Sequence, residues 1–153
     1  MAFAIKAPID DPQAPAFVFS AQKTMYGGKH VAAGDDIFLF ASENEGGHGL
    51  VARGVVTSAA AVARIPGIAR QTPRVSLAVA RIELALRPLG RRELKRFDDW
   101  SDRAPATELN FKLYRQATNK VVGLSEPAAA FLAGFFRPAR AADERPVTPR
   151  YCR

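Results

Sequence analysis

Short apolar runs separated by polar, glycine-rich breaks dominate the first 90 residues, and they predict strands. Phe17-Val18-Phe19-Ser20-Ala21 is β-prone and runs into a loop over 22–30, where Gly27-Gly28 marks a turn. Gly34-Asp35-Asp36 supplies turn chemistry before Ile37–Ala41, a continuous apolar run of the kind found in buried strands. The polar stretch Ser42–Gly49 reads as a hairpin loop, and Leu50–Ser58 as the partner strand with a bulge expected at Gly54. Residues 59–73 are Ala-rich and broken by Pro66-Gly67, which predicts one helical turn and then a connection. Arg74–Leu86 alternates cleanly except for a phase change near Ala80-Arg81, as in one long bent strand or two strands joined at a bulge.

The second half mixes periods. Leu94 and Phe97 lie three apart in Arg91–Trp100, predicting a short amphipathic helix with its basic groups outward. Phe111–Gln116 alternates like a strand, and Val121–Leu124 suggests another. Ser125 is a suitable N-cap with Pro127 in the first turn, after which Ala128, Phe131, Leu132, Phe135 and Phe136 line one helical face up to Pro138. No internal repeat is visible. The order strand, strand, strand, long strand, helix, strand, helix predicts an α+β fold built on a mostly antiparallel, curled sheet. Three prolines within 7–16 make 1–16 an extended lead-in, 17–136 the domain, and 137–153 a basic tail.

Composition narrows the function classes. With 153 residues and 48% apolar content, the chain is expected to form one core. A lone cysteine, Cys152, excludes an internal disulfide and a Cys-rich zinc cage. No run approaches the length of a membrane-spanning helix and no secretory signal is evident, so the expected setting is reduced and cytoplasmic, with no membrane partner. The net charge is +7, unevenly placed. Residues 1–49 carry three Lys against six acids, net −3, whereas 50–103 carry eleven basic groups against five acids, net +6. Sixteen of the 22 basic residues are Arg, the side chain that forks onto phosphate and stacks on bases. This favours a polyanionic partner, most often nucleic acid, although an Arg-rich genome would give the same composition.

Two stretches carry a family resemblance. GDDIFLFASENEGGHGLVARGVVTSA, from Gly34 to Ala59, resembles the centre of the EVE domain, a member of the PUA-like superfamily that includes YTH and ASCH modules. FKLYRQATNKVVGLSEPAAAFLAGFF, from Phe111 to Phe136, is similar to the family's closing unit, a strand with an Arg-Gln-like pair, a turn, and Leu-Ser opening the last helix. The sequence departs from the family in its opening strand, where Phe17-Val18-Phe19-Ser20 stands in place of a Trp-rich run, and in lacking the ASCH lysine–glutamate signature. The resemblance implies a PUA-like curled, mostly antiparallel β-barrel with short flanking helices. It also implies a nucleic-acid-binding reader module, for DNA or RNA, that takes a modified base into an aromatic pocket. A flipped base would stack there and be hydrogen-bonded at its edge.

The candidate base pocket comprises Phe19, Ser20, Tyr26, Phe40, Ser42, Asn44, Trp100 and Gln116. Phe40 falls where YTH relatives place a cage aromatic, with Ser42 or Asn44 on a base edge; the competing reading makes Phe40 core, like Phe38 on the same face. Phe17 and Phe19 share one face of the first strand, so that one of them would floor the pocket while both remain mainly core, and Ser20 follows. Tyr26 lies in a Gly-flanked loop, and Trp100 in a polar turn is either a cage wall or a plug over the core. Gln116 both donates and accepts. Lys23, Arg91, Arg92, Lys95 and Arg115 are the candidate phosphate ligands, against the commoner reading of a charge cluster as a solvated face.

Catalysis finds little support. His30 and His48 both lie in Gly-rich loops, and two His with one tail Cys do not make a usual zinc site. Ser58 and Ser125 lack a nucleophile-elbow context. Glu93-Leu94-Lys95 imitates the carboxylate–lysine pair of metal-dependent nucleases but falls on a predicted helix. The expectation is a non-enzymatic reader without cofactor, with an effector protein as a further partner. The alternatives are a small-molecule or protein-interaction module using the same barrel cavity, and a nuclease built on Glu93 and Lys95.

Overall fold

A computed structural model describes residues 1–136; the basic tail over 137–153 lies outside the described residues. Six strands close a barrel: β1 (Ala2–Ala7), β2 (Ala16–Met25), β3 (Asp36–Ala41), β4 (Gly49–Ala61), β5 (Arg74–Leu84) and β6 (Lys120–Gly123), in the spatial order β1-β3-β4-β5-β2-β6. Four of the six pairings are antiparallel; β1 with β3 and β2 with β6 are parallel. Three short α-helices flank it, α1 (Arg91–Leu94), α2 (Pro105–Leu109) and α3 (Glu126–Ala133). This is the α+β, mostly antiparallel curled sheet that the strand pattern predicts, closed into the barrel that the family resemblance implies.

Strand alternation sorts side chains into two cores, because successive residues face opposite sides of the sheet. Phe3, Ile5, Phe19, Ile37, Leu39 and Val121 point into the barrel. Ala4, Phe38, Phe40 and Val122 point outward, where Leu94, Leu109, Leu113 and Leu132 from the helical side cover them.

Several expectations are corrected. The lead-in 1–16 contains β1, which pairs with both β3 and β6 and is buried from Phe3 to Ala7, so the barrel begins at Ala2. The prolines confine only the connection after it. β2 continues through the stretch read as a loop as far as Met25, and β4 replaces the expected helical turn as far as Ala61. Phe111–Gln116 is not a strand. α2 runs into a turn of π-helix, Asn110–Tyr114, because Ala106, Leu109 and Leu113 bury one helical stripe after Pro105 at the helix start.

The phase change near Ala80-Arg81 has a physical counterpart. Arg53 pairs with Glu83 but Gly54 with Arg81, so Ile82 is the extra residue of a bulge and is half exposed. Gly54 is required there, since a Cβ would stand 2.3 Å from Ala80 O. Ser125 caps α3 as expected, its Oγ accepting from Ala128 N at 3.2 Å.

Candidate functional site

Two features meet under the segment that joins α2 to β6. The first is an aromatic shelf. After β2 the chain turns at Tyr26 and Gly27, both left-handed (φ 53° and 84°), and folds back on β6. The approach is tight enough that a Cβ on Gly28 would stand 2.0 Å from Val121 O, and Gly123 N donates to Tyr26 O at 3.2 Å. Tyr26 is therefore held firmly with its ring 51% exposed.

The π-turn presents Phe111, Lys112 and Arg115 beside it. Arg115 lies over the Phe111 ring at 4.7 Å, and Trp100, 57% exposed, tilts against the same ring with centroids 5.0 Å apart. Lys112 stands 5.5 Å over Tyr26 and is tethered by hydrogen bonds to Gly123 O (2.7 Å) and Glu108 Oε2 (3.0 Å). Glu108 in turn accepts from Ser125 N and Ser125 Oγ. Burial opposes ionisation of Glu108, but the Ser125 and Lys112 hydrogen bonds prevail and hold its carboxyl below the usual range. Tyr26, Phe111, Arg115, Gln116 and Lys120 enclose a cavity of about 220 Å³.

The second feature is a buried polar seam. Lys6 and Lys120 face each other across β1 and β6, each only 1% exposed. Lys120 Nζ donates to the carbonyls of Thr118 (3.1 Å), Gln116 (3.2 Å) and Leu113 (3.4 Å). Burial, with the charge of Lys6 adding to it, pushes the Lys120 ammonium down to about 8. Burial lowers Lys6 as well, against the pull of Glu43.

Lys6 Nζ has no hydrogen-bond partner among the described residues and lies 5.0 Å over the Tyr114 ring. Ser42 Oγ, Glu43 Oε1, Tyr114 OH and Asn119 Oδ1 are likewise buried without a hydrogen bond. Burial beside Glu43 drives the Tyr114 phenol far above its ordinary range. Ser42 and Asn119 hold the Glu45 carboxyl below its own; Asn119 Nδ2 donates to it at 3.3 Å, whereas Ser42 is close without hydrogen-bond geometry. Lys6, Ser42, Glu43, Tyr114 and Asn119 thus gather buried polar atoms beneath this segment, with Glu43 beside both Lys6 and Tyr114.

The residues singled out from sequence divide accordingly. Tyr26, Arg115 and Gln116 come together at the shelf, and Trp100 joins them through Phe111. Phe40 is fully buried and packs edge-on against Tyr114 at 6.5 Å; the cage role is corrected to core, because the outward face of β3 is roofed by helices. Phe19 stacks on Phe17 inside the barrel and floors no pocket. Ser42 belongs to the seam, while Ser20 is exposed on β2, away from the shelf's lining.

Asn44 accepts from the Arg91 guanidinium at 2.8 Å. Arg91, Arg92 and Lys95 line a separate cavity with Glu43 and Glu93, so two carboxylates dilute that phosphate-binding face. Glu93 closes the N-terminus of α1 by accepting from Gly90 N at 2.8 Å. Lys23 lines a different cleft, under the β4–β5 hairpin. Sequence reasoning missed Lys6, Phe111, Lys112, Tyr114 and Lys120. A lysine inside an otherwise apolar strand, as in Ala2-Phe3-Ala4-Ile5-Lys6-Ala7, was the available signal for the seam.

No family model matches the chain, and no curated protein matches it by sequence. Solved structures do match. The DUF55 domain of human thymocyte nuclear protein 1 superposes with a TM-score of 0.58 at 10% identity, over 88% of this chain and 97% of that one. Human THYN1 in complex with 5-methylcytosine-containing DNA gives 0.60 at 11% identity, over 91% and 99%. A Pseudomonas putida structural-genomics protein gives 0.60 at 14%, over 90% and 100%. The chain thus has the barrel fold of these structures, along almost their whole length.

Proposed function

We propose that this barrel is a non-catalytic nucleic-acid-binding module that reads a base, in modified form, at the Tyr26–Phe111 shelf. The observation that carries the reading is the aromatic and cationic set at one cavity, Tyr26 on one side and Phe111 with Arg115 on the other, extended by Trp100, which packs on Phe111 and lines the neighbouring hollow. Tyr26 and Trp100 are more than half exposed, and exposed aromatic surface is suited to stacking a base, at about 1–3 kcal/mol per stacked base. Gln116 at the cavity supplies a donor and an acceptor for a base edge, and Arg115 supplies charge for the adjoining phosphates. A protein of the same fold has been seen with 5-methylcytosine-containing DNA, which supports nucleic acid as the ligand class.

The test is a panel of short oligonucleotides, single- and double-stranded, with and without modified bases, at one fixed salt concentration. A tenfold preference for one modified base, about 1.4 kcal/mol, establishes reading; equal affinity across the panel overturns it and leaves a charge-driven binder.

A further inference from the structure

The end of the β4–β5 hairpin is an arm with one free edge: β3 pairs with β4 only as far as Asp36–Val55, while β4 and β5 continue together to Ala61–Val75 and β5 stays paired with β2 as far as Lys23–Arg74. The loop closing this arm is braced by Gln71, whose side chain accepts from Ile65 N (2.8 Å) and donates to Ile65 O (2.8 Å) and Ile68 O (2.7 Å). Under the arm lies a cleft of about 550 Å³ lined by Lys23, Lys29, Arg64, Arg70 and Arg74, with no carboxylate among its lining residues.

Between residues 59 and 80 the sequence contains no Asp or Glu. None of the five cations forms a salt bridge with a described residue. Arg64 and Arg74 are oriented by backbone carbonyls, of Ala69 at 3.2 Å and Ala21 at 2.7 Å; Lys29 and Arg70 make no side-chain hydrogen bond with a described residue. Five like charges converging without counter-charge raise the local potential and favour a polyanion.

The strand register connects this cleft to the shelf. Lys6 pairs with Lys120, and Lys23 pairs with Arg74. Thr24 pairs with Val121 in the parallel β2–β6 ladder, which sets Lys23 level with Lys120. Directly opposed residues face the same side of a sheet, so Lys6, Lys120, Lys23 and Arg74 form one outward row across four adjacent strands, at about 4.8 Å per strand. Lys120 lines the shelf's cavity and Lys23 lines the cleft.

We propose that the cleft under the β4–β5 arm is a second, sequence-independent contact that holds the sugar-phosphate backbone of the strand whose base lies at the shelf. This rests on the nucleic-acid reading given above. A concave cleft beneath a braced arm suits a narrow chain of phosphates, whereas a bilayer surface does not enter it. Ile65 and Ile68 at the arm's tip, 60% and 49% exposed, offer apolar contact to sugars or to a groove.

The experiment titrates the full chain against a fluorescein-labelled 16-nucleotide strand, single-stranded and as duplex, by anisotropy across a salt series. The arm variant is K29Q/R70Q, two side chains without a hydrogen bond or salt bridge to a described residue, with a thermal melt to confirm folding. The expected result is a loss of affinity of about fivefold or more, with a salt slope shallower by about two. Y26A, at the shelf, should weaken binding without changing the slope. A native slope and affinity for K29Q/R70Q would overturn the arm contact while leaving the nucleic-acid reading intact. No binding of the native protein to either strand would overturn both, as would binding to anionic lipid vesicles in place of nucleic acid.

Discussion

Lys6 and Lys120, each 1% exposed, stand opposite one another in the β1–β6 ladder, and among the described residues only the Lys120 ammonium has hydrogen-bond partners. Their proximity and burial disfavour the charged form of Lys120 in the folded state, lowering it from 10.5 to about 8. The unfolded chain then binds more protons than the folded one across that interval, so stability rises as pH increases from about 8 to 10.5 and is lower below 8. We expect the melting temperature to climb over this window, by an amount equivalent to on the order of 1–2 kcal/mol. Melts at matched ionic strength check it, with K120M expected to abolish most of the rise.

Lys6 and Lys120 should respond oppositely to removal of charge. Lys120 satisfies three carbonyls, so K120M leaves Gln116, Thr118 and Leu113 acceptors unpaired and is expected to destabilise by about 1–3 kcal/mol. K6M removes a buried cation that no hydrogen bond compensates, and is expected to be neutral or stabilising by about 1 kcal/mol. Urea unfolding of the two variants at pH 7 distinguishes them. A strongly destabilised K6M would show that the Lys6 charge is compensated within the fold.

The legible parts of the sequence were those where one period governs a whole element. Ile37–Ala41 and the alternation from Val75 to Leu84 predict their strands because side-chain period and burial coincide. Even the bulge at Ile82 shows as a broken phase. β1 was hidden by its own burial: Phe3–Ala7 is covered on both faces, so nothing alternates, and the prolines after it draw attention away. Phe111–Tyr114 misled because alternation over a few residues is also compatible with a helical stripe set by Ala106 and Leu109 upstream.

The site was half legible for a related reason. Tyr26 and Trp100 stood out as aromatics in polar turns, a property of local sequence. The role of Phe111, Lys112 and Lys120 depends on β6 meeting the Tyr26 turn, which is a tertiary fact.

Phe40 separates a core residue from a cage residue. Its ring is fully buried between β3 and the helices, so F40A should destabilise by about 3–5 kcal/mol. At low temperature, where enough of the variant stays folded, affinity per folded molecule for an oligonucleotide should match the native protein. Denaturant titration measures the first quantity and anisotropy at 4 °C the second. A lost affinity in fully folded F40A would return the residue to the ligand's neighbourhood.

Trp100 is the only tryptophan in the chain, and it is more than half exposed against Phe111. Because little of the indole is engaged in the core, W100A should shift stability by less than about 1 kcal/mol. Its loss should nevertheless weaken nucleic-acid binding by about 1–3 kcal/mol if it extends the stacking surface that Phe111 begins. Y26A should act likewise from the other side of the cavity, and since Lys112 bridges Tyr26 to Glu108, the conservative Y26F should retain most of the affinity. The indole also reports directly: a base stacked on it quenches its emission, so titration of the native protein should show saturable quenching that Y26A shifts to higher concentration. Saturable binding with no change in emission, together with full affinity in W100A, would place Trp100 outside the interface and confine the stacking surface to Tyr26 and Phe111.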